Sequence, residues 1–240
     1  MRLRVGTSGF SYKEWKGSFY PEKLKDADML SYYASRLTTV EINNTFYRMP
    51  TDKLLDKWAS EVPESFTFVL KASQRITHHR RLKPECADDV AYFFATAARL
   101  GQRLGPVLLQ LPPNMKKDIT RLKEFLPLLP KGARAAFEFR EPSWFDAEVY
   151  DALKAGGATL CAADTDDSGE EGPPLVPMGD WGYLRLRRAE YGDADLALWI
   201  ERVRSMPWQD AFVFFKHEDA GKGAQFAERF TALWNESASS

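Results

Sequence analysis

"AFEFREPSWF", residues 136–145, alternates apolar and ionic side chains, and that alternation decides the fold. Successive side chains of an extended chain point to opposite faces, so Phe137 and Phe139 share one face while Ala136, Glu138 and Arg140 share the other. A central strand of an open, doubly wound sheet is covered by helices on both sides and reads apolar throughout. A strand with one apolar and one ionic face suits a barrel, where helices cover the outside and the axis receives the inside.

The rest of the chain follows the same plan. Runs rich in β-branched or aromatic residues occur at 3–8, 39–43, 66–73, 106–111, 133–140, 158–164, 181–187 and 211–216. Between most of them lie segments with helical spacing, such as "TDKLLDKWASEV", "CADDVAYFFATAARLG" and "DAEVYDALKAGG". Thr51 or Asp52 is placed to cap one helix, and Gly101 and Gly156 stand where a left-handed terminator is wanted. The stretch "TDDSGEEGPPLVPMGD" after the sixth run is too rich in Gly and Pro for a helix. The expectation is an α/β protein, a single (β/α)8 TIM barrel over residues 1–236, with helix six reduced or replaced by a loop and a flexible tail at 237–240.

Composition limits the function classes. With 33 basic against 34 acidic residues, no overall field draws the chain to nucleic acid or anionic lipid, so any anion site must be local. Cys86 and Cys161 have neither disulfide nor zinc spacing, and Cys161 reads as a small core residue. No charged-then-apolar leader precedes "LRVGTS", and "AYFFATAARL" falls short of the roughly 20 residues that cross a bilayer, so a cytoplasmic protein without membrane contact is expected.

Applying the alternation to the other strands sends Thr39, Glu41 and Asn43 inward from the second, Thr67, Val69, Lys71 and Ser73 from the third, and Tyr183, Arg185 and Arg187 from the seventh. Gln110, Asp164 and Lys216 sit at the matching ends of the fourth, sixth and eighth strands. "AFVFFKHED" is apolar on both faces, so either Lys216 or His217 points in. The inward ions are then Lys71, Arg140, Arg185, Arg187 and Lys216 against Glu41, Glu138 and Asp164. Isolated ions in a low-dielectric interior cost several kcal/mol each, which implies mutual pairing, a wet cavity or an anionic ligand. Pairing alone would join Glu138 to Arg140 or Arg185, and Glu41 to Lys71. With a ligand, Arg140, Arg185 and Arg187 would clamp the anion. Glu138 or Glu41 would then act as acid or base, and a desolvated Lys71 could attack a carbonyl.

Loop aromatics, among them Tyr12, Trp15, Phe46, Tyr47 and Trp144, either cover a ligand or pack their own loops. His78 belongs to the basic "ITHHRRLK" loop, and Gly221 and Gly223 open the last helix where an anion or an ordinary cap would fit. No dinucleotide, P-loop or serine-elbow motif is present. Glu41, Glu138, Asp164, His78 and His217 supply metal-ligand types without a metal-binding spacing. No cofactor is therefore expected, and a divalent metal on Glu41 and Glu138 is the alternative.

"VGTSGFSYKEWKGSFYP", "VEINNTFYRMPT", "FVLKASQRITH", "LLQLPPN" and "FEFREPSWF", in that order along nearly the whole chain, resemble the serial motifs of the YecE-like proteins, the domain-of-unknown-function family numbered seventy-two. The resemblance implies a (β/α)8 barrel described as related to sugar isomerases, with no established reaction. It places Ser8, Tyr12, Trp15, Glu41, Asn43, Lys71, His78, Gln110, Glu138, Arg140 and Trp144 at the family's motif positions. Arg187 and Arg188 stand where many relatives carry His-Gly, and "KHED" stands where an Asn-rich turn is frequent. The leading expectation is an enzyme with isomerase-, lyase- or hydrolase-like chemistry on a small anionic ligand, phosphorylated or sugar-derived, at the C-terminal mouth. The alternatives are a nucleic-acid-binding or -processing protein using the 76–83 loop, and a barrel that binds a ligand without turnover.

Overall fold

A computed structural model describes residues 1–169, 172–216 and 221–237. Parallel strands β1 (Arg2–Ser8), β2 (Thr39–Ile42), β3 (Thr67–Lys71), β4 (Leu104–Gln110), β5 (Ala135–Glu138), β6 (Thr159–Asp164), β7 (Trp181–Leu186) and β8 (Asp210–Phe215) pair in sequence order. β8 returns to β1 and closes the barrel. Helices α1 (Met29–Arg36), α2 (Asn44–Tyr47), α3 (Asp52–Ser60), α4 (Ala87–Ala97), α5 (Ile119–Phe125), α6 (Ala147–Ala155), α7 (Asp193–Arg204) and α8 (Lys222–Glu236) complete the α/β architecture. This is the expected TIM barrel. After β6, within the described residues, the chain makes only a short 3-10 turn, Asp166–Ser168, as the Gly- and Pro-rich sequence there requires. Of the tail expected at 237–240, only Ser237 falls within the described residues.

Caps follow from the sequence. The Thr51 hydroxyl accepts from the Leu54 N–H, Asp118 from that of Arg121 and Asp146 from that of Val149, each satisfying a first-turn donor. The terminator expected at Gly156 is displaced by one residue. Gly156 has a φ of −81°, and the left-handed turn falls on Gly157 at +69°.

Apolar residues divide by strand face. Val40, Ile42, Phe68, Leu70, Phe137, Leu184 and Leu186 pack outward against the helices. Val69, Leu108, Ala136, Cys161, Tyr183, Phe212 and Phe214 form a separate cluster around the axis. Below it, the buried Asp210 carboxylate accepts from Arg2 at 2.7 Å and from Arg134 at 2.9 Å. The inside of the barrel is therefore filled from its N-terminal end up to the layer beneath the C-terminal mouth.

β1 and β2 approach too closely at Gly6 for any side chain. A Cβ there would lie 2.0 Å from the Thr39 carbonyl oxygen, which also accepts the Tyr33 hydroxyl at 2.9 Å. Gly6→Ala is expected to cost about 1–3 kcal/mol by overpacking against a backbone that cannot yield, read as a lower urea midpoint with an unchanged m-value.

Candidate functional site

Two carboxylates and three guanidiniums occupy the upper layer of the barrel. Glu41 on β2 and Glu138 on β5 are fully buried, and Arg185 on β7 is 2% exposed between them. Arg185 donates through Nη1 to Glu138 Oε2 and through Nη2 to Glu41 Oε1 at 2.8 Å. The Tyr183 hydroxyl donates to the other Glu41 oxygen at 2.6 Å. Above this layer Arg140 Nε lies 3.1 Å from Glu138 Oε1 and Arg187 Nη1 lies 3.5 Å from the same atom. Three guanidiniums thus face two carboxylates.

Lys71 is left outside that network. The expected Glu41–Lys71 pair does not form, because the longer Arg185 fork reaches both carboxylates. Lys71 Nζ instead donates to the neutral Gln110 Oε1 at 2.8 Å and sits 4.2 Å from the centre of the Phe46 ring. Phe46 reaches it through α2. The Thr45 hydroxyl donates to the Lys71 carbonyl at 2.7 Å and pins that four-residue helix over the end of β3. His78 packs edge-on to the same ring, with a centroid separation of 4.9 Å, and its Nδ1 is 2.9 Å from the Thr77 hydroxyl oxygen. It is presented by a π-helical turn, Arg75–His79, followed by left-handed backbone at Arg81 (φ 50°) and at the buried Leu82 (φ 59°).

Lys71, Gln110, Phe46, His78, Arg140, Arg185 and Arg187 line a cleft of about 580 Å³ at the C-terminal end of the strands, together with Tyr12, Asn43, Asn44, Tyr47, Gln74 and Lys216. The inward parity of Phe212 and Phe214 on β8 resolves the register left open there, since Lys216 continues their face. His217 and most of the loop before Gly221 and Gly223 lie outside the described residues.

Proton affinities differ sharply within the site. Burial alone would raise the Glu138 pKa, but the charges of Arg185, Arg140 and Arg187 outweigh it and hold the carboxyl at about 2. Glu138 is therefore an anion at neutral pH, held by the three guanidiniums around it. Glu41 is buried, one oxygen accepting from the Arg185 guanidinium and the other from the Tyr183 hydroxyl. Burial, and then the charge of Arg185, bring Lys71 down to about 8. Burial, followed by Lys71 and Arg140, keeps the His78 imidazolium below its ordinary pKa, so the ring is neutral near pH 7.

Four expected ligand-binding residues are placed elsewhere. Asp164 shares its strand face with the outward Leu160 and Ala162, not with the inward Cys161 and Ala163. Its carboxylate holds Arg188 at 2.9 Å, the Tyr191 hydroxyl at 2.9 Å and the Trp199 indole N–H at 3.3 Å. Trp15 is fully buried in a loop cluster with Tyr12, Phe19 and Tyr20. Trp144 is fully buried, stacked on Phe139 at 4.6 Å and donating to the Met115 carbonyl at 2.6 Å. Ser8 lies beneath the cleft, its buried Oγ without a hydrogen-bond partner among the described residues. Tyr12 does face the cleft, and the left-handed Gly9 (φ 107°) makes room for it, because a Cβ there would lie 2.2 Å from its hydroxyl.

The carboxylates on which the metal alternative rests are both engaged by Arg185, and among the described residues no cluster of three or more His, Cys, Asp or Glu could hold a metal ion. Among the same residues no helix is long and apolar enough to cross a membrane.

A family model described as "Protein of unknown function DUF72" matches residues 4–240. The UPF0759 protein YunF of Bacillus subtilis is 26% identical, over 96% of this chain and 94% of its own. The crystal structure of a DUF72 family protein of Thermotoga maritima, TM1631, superposes with a TM-score of 0.83 at 29% identity, covering 98% of this chain and 100% of that one. A second DUF72 structure, EF0366 of Enterococcus faecalis, gives a TM-score of 0.79 at 20% identity over 97% and 95% of the two chains, a likeness of fold.

Proposed function

The chain belongs to the DUF72 family, and on that premise we propose that the barrel mouth binds a small anionic ligand, phosphorylated or carbohydrate-derived, as the substrate of an enzyme. One observation carries the reading. Arg185 spends its charge on two buried carboxylates, while Arg140 and Arg187, 34% and 19% exposed, share a single oxygen of Glu138 at the floor of the cleft. The floor is cationic, and the buried Nε–H of Arg187 has no acceptor among the described residues. A multidentate oxyanion such as a phosphate or carboxylate meets these planar guanidinium donors better than water does. Asn43, Gln110 and His78 add neutral polar groups for the rest of the ligand, and Tyr12, Phe46 and Tyr47 add apolar faces.

The reading is tested by thermal unfolding in inorganic phosphate against chloride at matched ionic strength. Phosphate is expected to raise Tm with the logarithmic dependence of specific binding. The double variant Arg140→Gln, Arg187→Gln is expected to weaken that binding about tenfold or more, the loss of one to two charged hydrogen bonds. Equal Tm shifts in both salts would remove the anion site. Salt-sensitive binding of a single-stranded oligonucleotide at physiological ionic strength would transfer the reading to nucleic acid.

A further inference from the structure

We propose that Lys71 is a nucleophile, and that the ligand is an aldehyde or ketone bearing an anionic group, captured at Lys71 as a Schiff base while Arg140 and Arg187 hold the anion. The proposal rests on the anion site above and deepens it.

Lysines beside carboxylates in a barrel interior normally stay paired and protonated, and a protonated ammonium has no lone pair to donate. Here the competition for Glu41 and Glu138 is won by Arg185, and among the described residues no carboxylate forms an ion pair with Lys71. Its remaining contacts are an amide oxygen at 2.8 Å and a ring face at 4.2 Å, which position the amine without demanding a full positive charge. The groups facing it are Arg185 from β7, Glu41 from β2, Glu138 and Arg140 from β5 and the segment after it, and His78 from the turn after β3. Cations and anions are equal in number in that set, His78 being neutral, and Arg185 weighs most among them. Burial, and then the charge of Arg185, bring the ammonium down to about 8, so a usable fraction is neutral near pH 7.5, where a surface lysine has almost none.

The chemistry balances without a cofactor. The Nζ lone pair forms a bond to the carbonyl carbon as the C=O π pair moves to oxygen, which takes up a proton while nitrogen releases one. The resulting carbinolamine accepts a second proton on its hydroxyl, expels water and leaves an iminium C=N⁺. His78, neutral and packed on the same Phe46 ring, is the nearby group suited to carry these protons. The iminium is an electron sink for cleavage or migration of a bond next to the former carbonyl, which accords with isomerase- or lyase-like chemistry.

The experiment is reductive trapping. The protein is incubated with dihydroxyacetone phosphate or, separately, pyruvate in sodium cyanoborohydride, and adducts are mapped by peptide mass spectrometry across pH 6–10. Label is expected at Lys71 at a rate about tenfold or more above the other lysines at pH 7.5, rising with a midpoint near 8. Lys71→Arg keeps the charge but cannot form the imine, and should lose this adduct while leaving the slow surface labelling intact. Glycerol 3-phosphate, which lacks the carbonyl, should protect Lys71. Labelling spread evenly over the lysines overturns the proposal. Phosphate stabilisation without a Lys71 adduct overturns the nucleophile and leaves the anion site standing. A fast Lys71 adduct without phosphate stabilisation supports the nucleophile and removes the anion site.

Discussion

Arg185→Met is expected to lower the unfolding free energy by about 3–5 kcal/mol, the cost of leaving buried charges without their partner. The methionine fills comparable space but neutralises nothing. Glu138 would keep Arg140 and Arg187, whereas Glu41 would keep only the Tyr183 hydroxyl among its contacts here. Adding Glu41→Gln to Arg185→Met should therefore recover part of the loss. The pH dependence gives an independent reading. Glu138 is held at about 2 in the folded protein against an ordinary 4.5, so its stabilising effect is fully present above about 4.5 and is lost as the pH falls toward 2. That difference corresponds to about 3 kcal/mol of native stability at neutral pH. Without Arg185 the carboxyl rises toward its ordinary value, and the acid limb of the stability curve should flatten. Urea unfolding at steps between pH 7 and 3 measures both effects. A loss below about 1 kcal/mol at pH 7 would mean that the pair behaves as a solvated one and that the upper layer is wetter than its burial implies.

The ionic layer was largely legible in the sequence because its outer faces are unmistakably apolar. Phe137 on β5 and Phe139 just after it, and Leu184 and Leu186 on β7, allow one register each, and that register sends Glu138, Arg140, Arg185 and Arg187 inward. The sixth strand carries no such marker. In "TLCAAD" both faces are small or apolar, so parity is undetermined, and only its position at the strand end points the terminal carboxylate to the mouth. Periodicity also gives direction but not partners. That Arg185 rather than Lys71 would take Glu41 depends on side-chain reach across the barrel, which no local pattern encodes. Of the two roles open to the loop tryptophans, packing prevails: Trp15 and Trp144 bury completely, since long loops need a core of their own. The ionic plug of Asp210 with Arg2 and Arg134 at the opposite end left no signal, because its members are far apart in the chain and each stands at a strand margin.

Asp164 is where the two ways of reading the molecule make opposite predictions. As an inward anion it would oppose the ligand, and Asp164→Ala would tighten phosphate binding with little effect on stability. As an outward latch it joins β6 to the segment after β7 and to α7 through Arg188, Tyr191 and Trp199. Removing the carboxylate then takes the acceptor from the buried Tyr191 hydroxyl and Trp199 indole N–H, and one of its partners from the half-buried Arg188 guanidinium. Arg188 retains its bond to the Gly169 carbonyl at 2.9 Å, so the expected loss is about 2–4 kcal/mol rather than that of a fully isolated charge. The phosphate midpoint and the rate of Lys71 trapping should not move, because the side chain lies on the far side of its strand from Arg187 and Lys71. Asp164→Asn keeps the shape and one acceptor oxygen and should recover roughly half of the loss. A variant that unfolds earlier yet binds phosphate as before assigns Asp164 to the scaffold. Unchanged stability with altered affinity would return it to the mouth and reverse the register of β6.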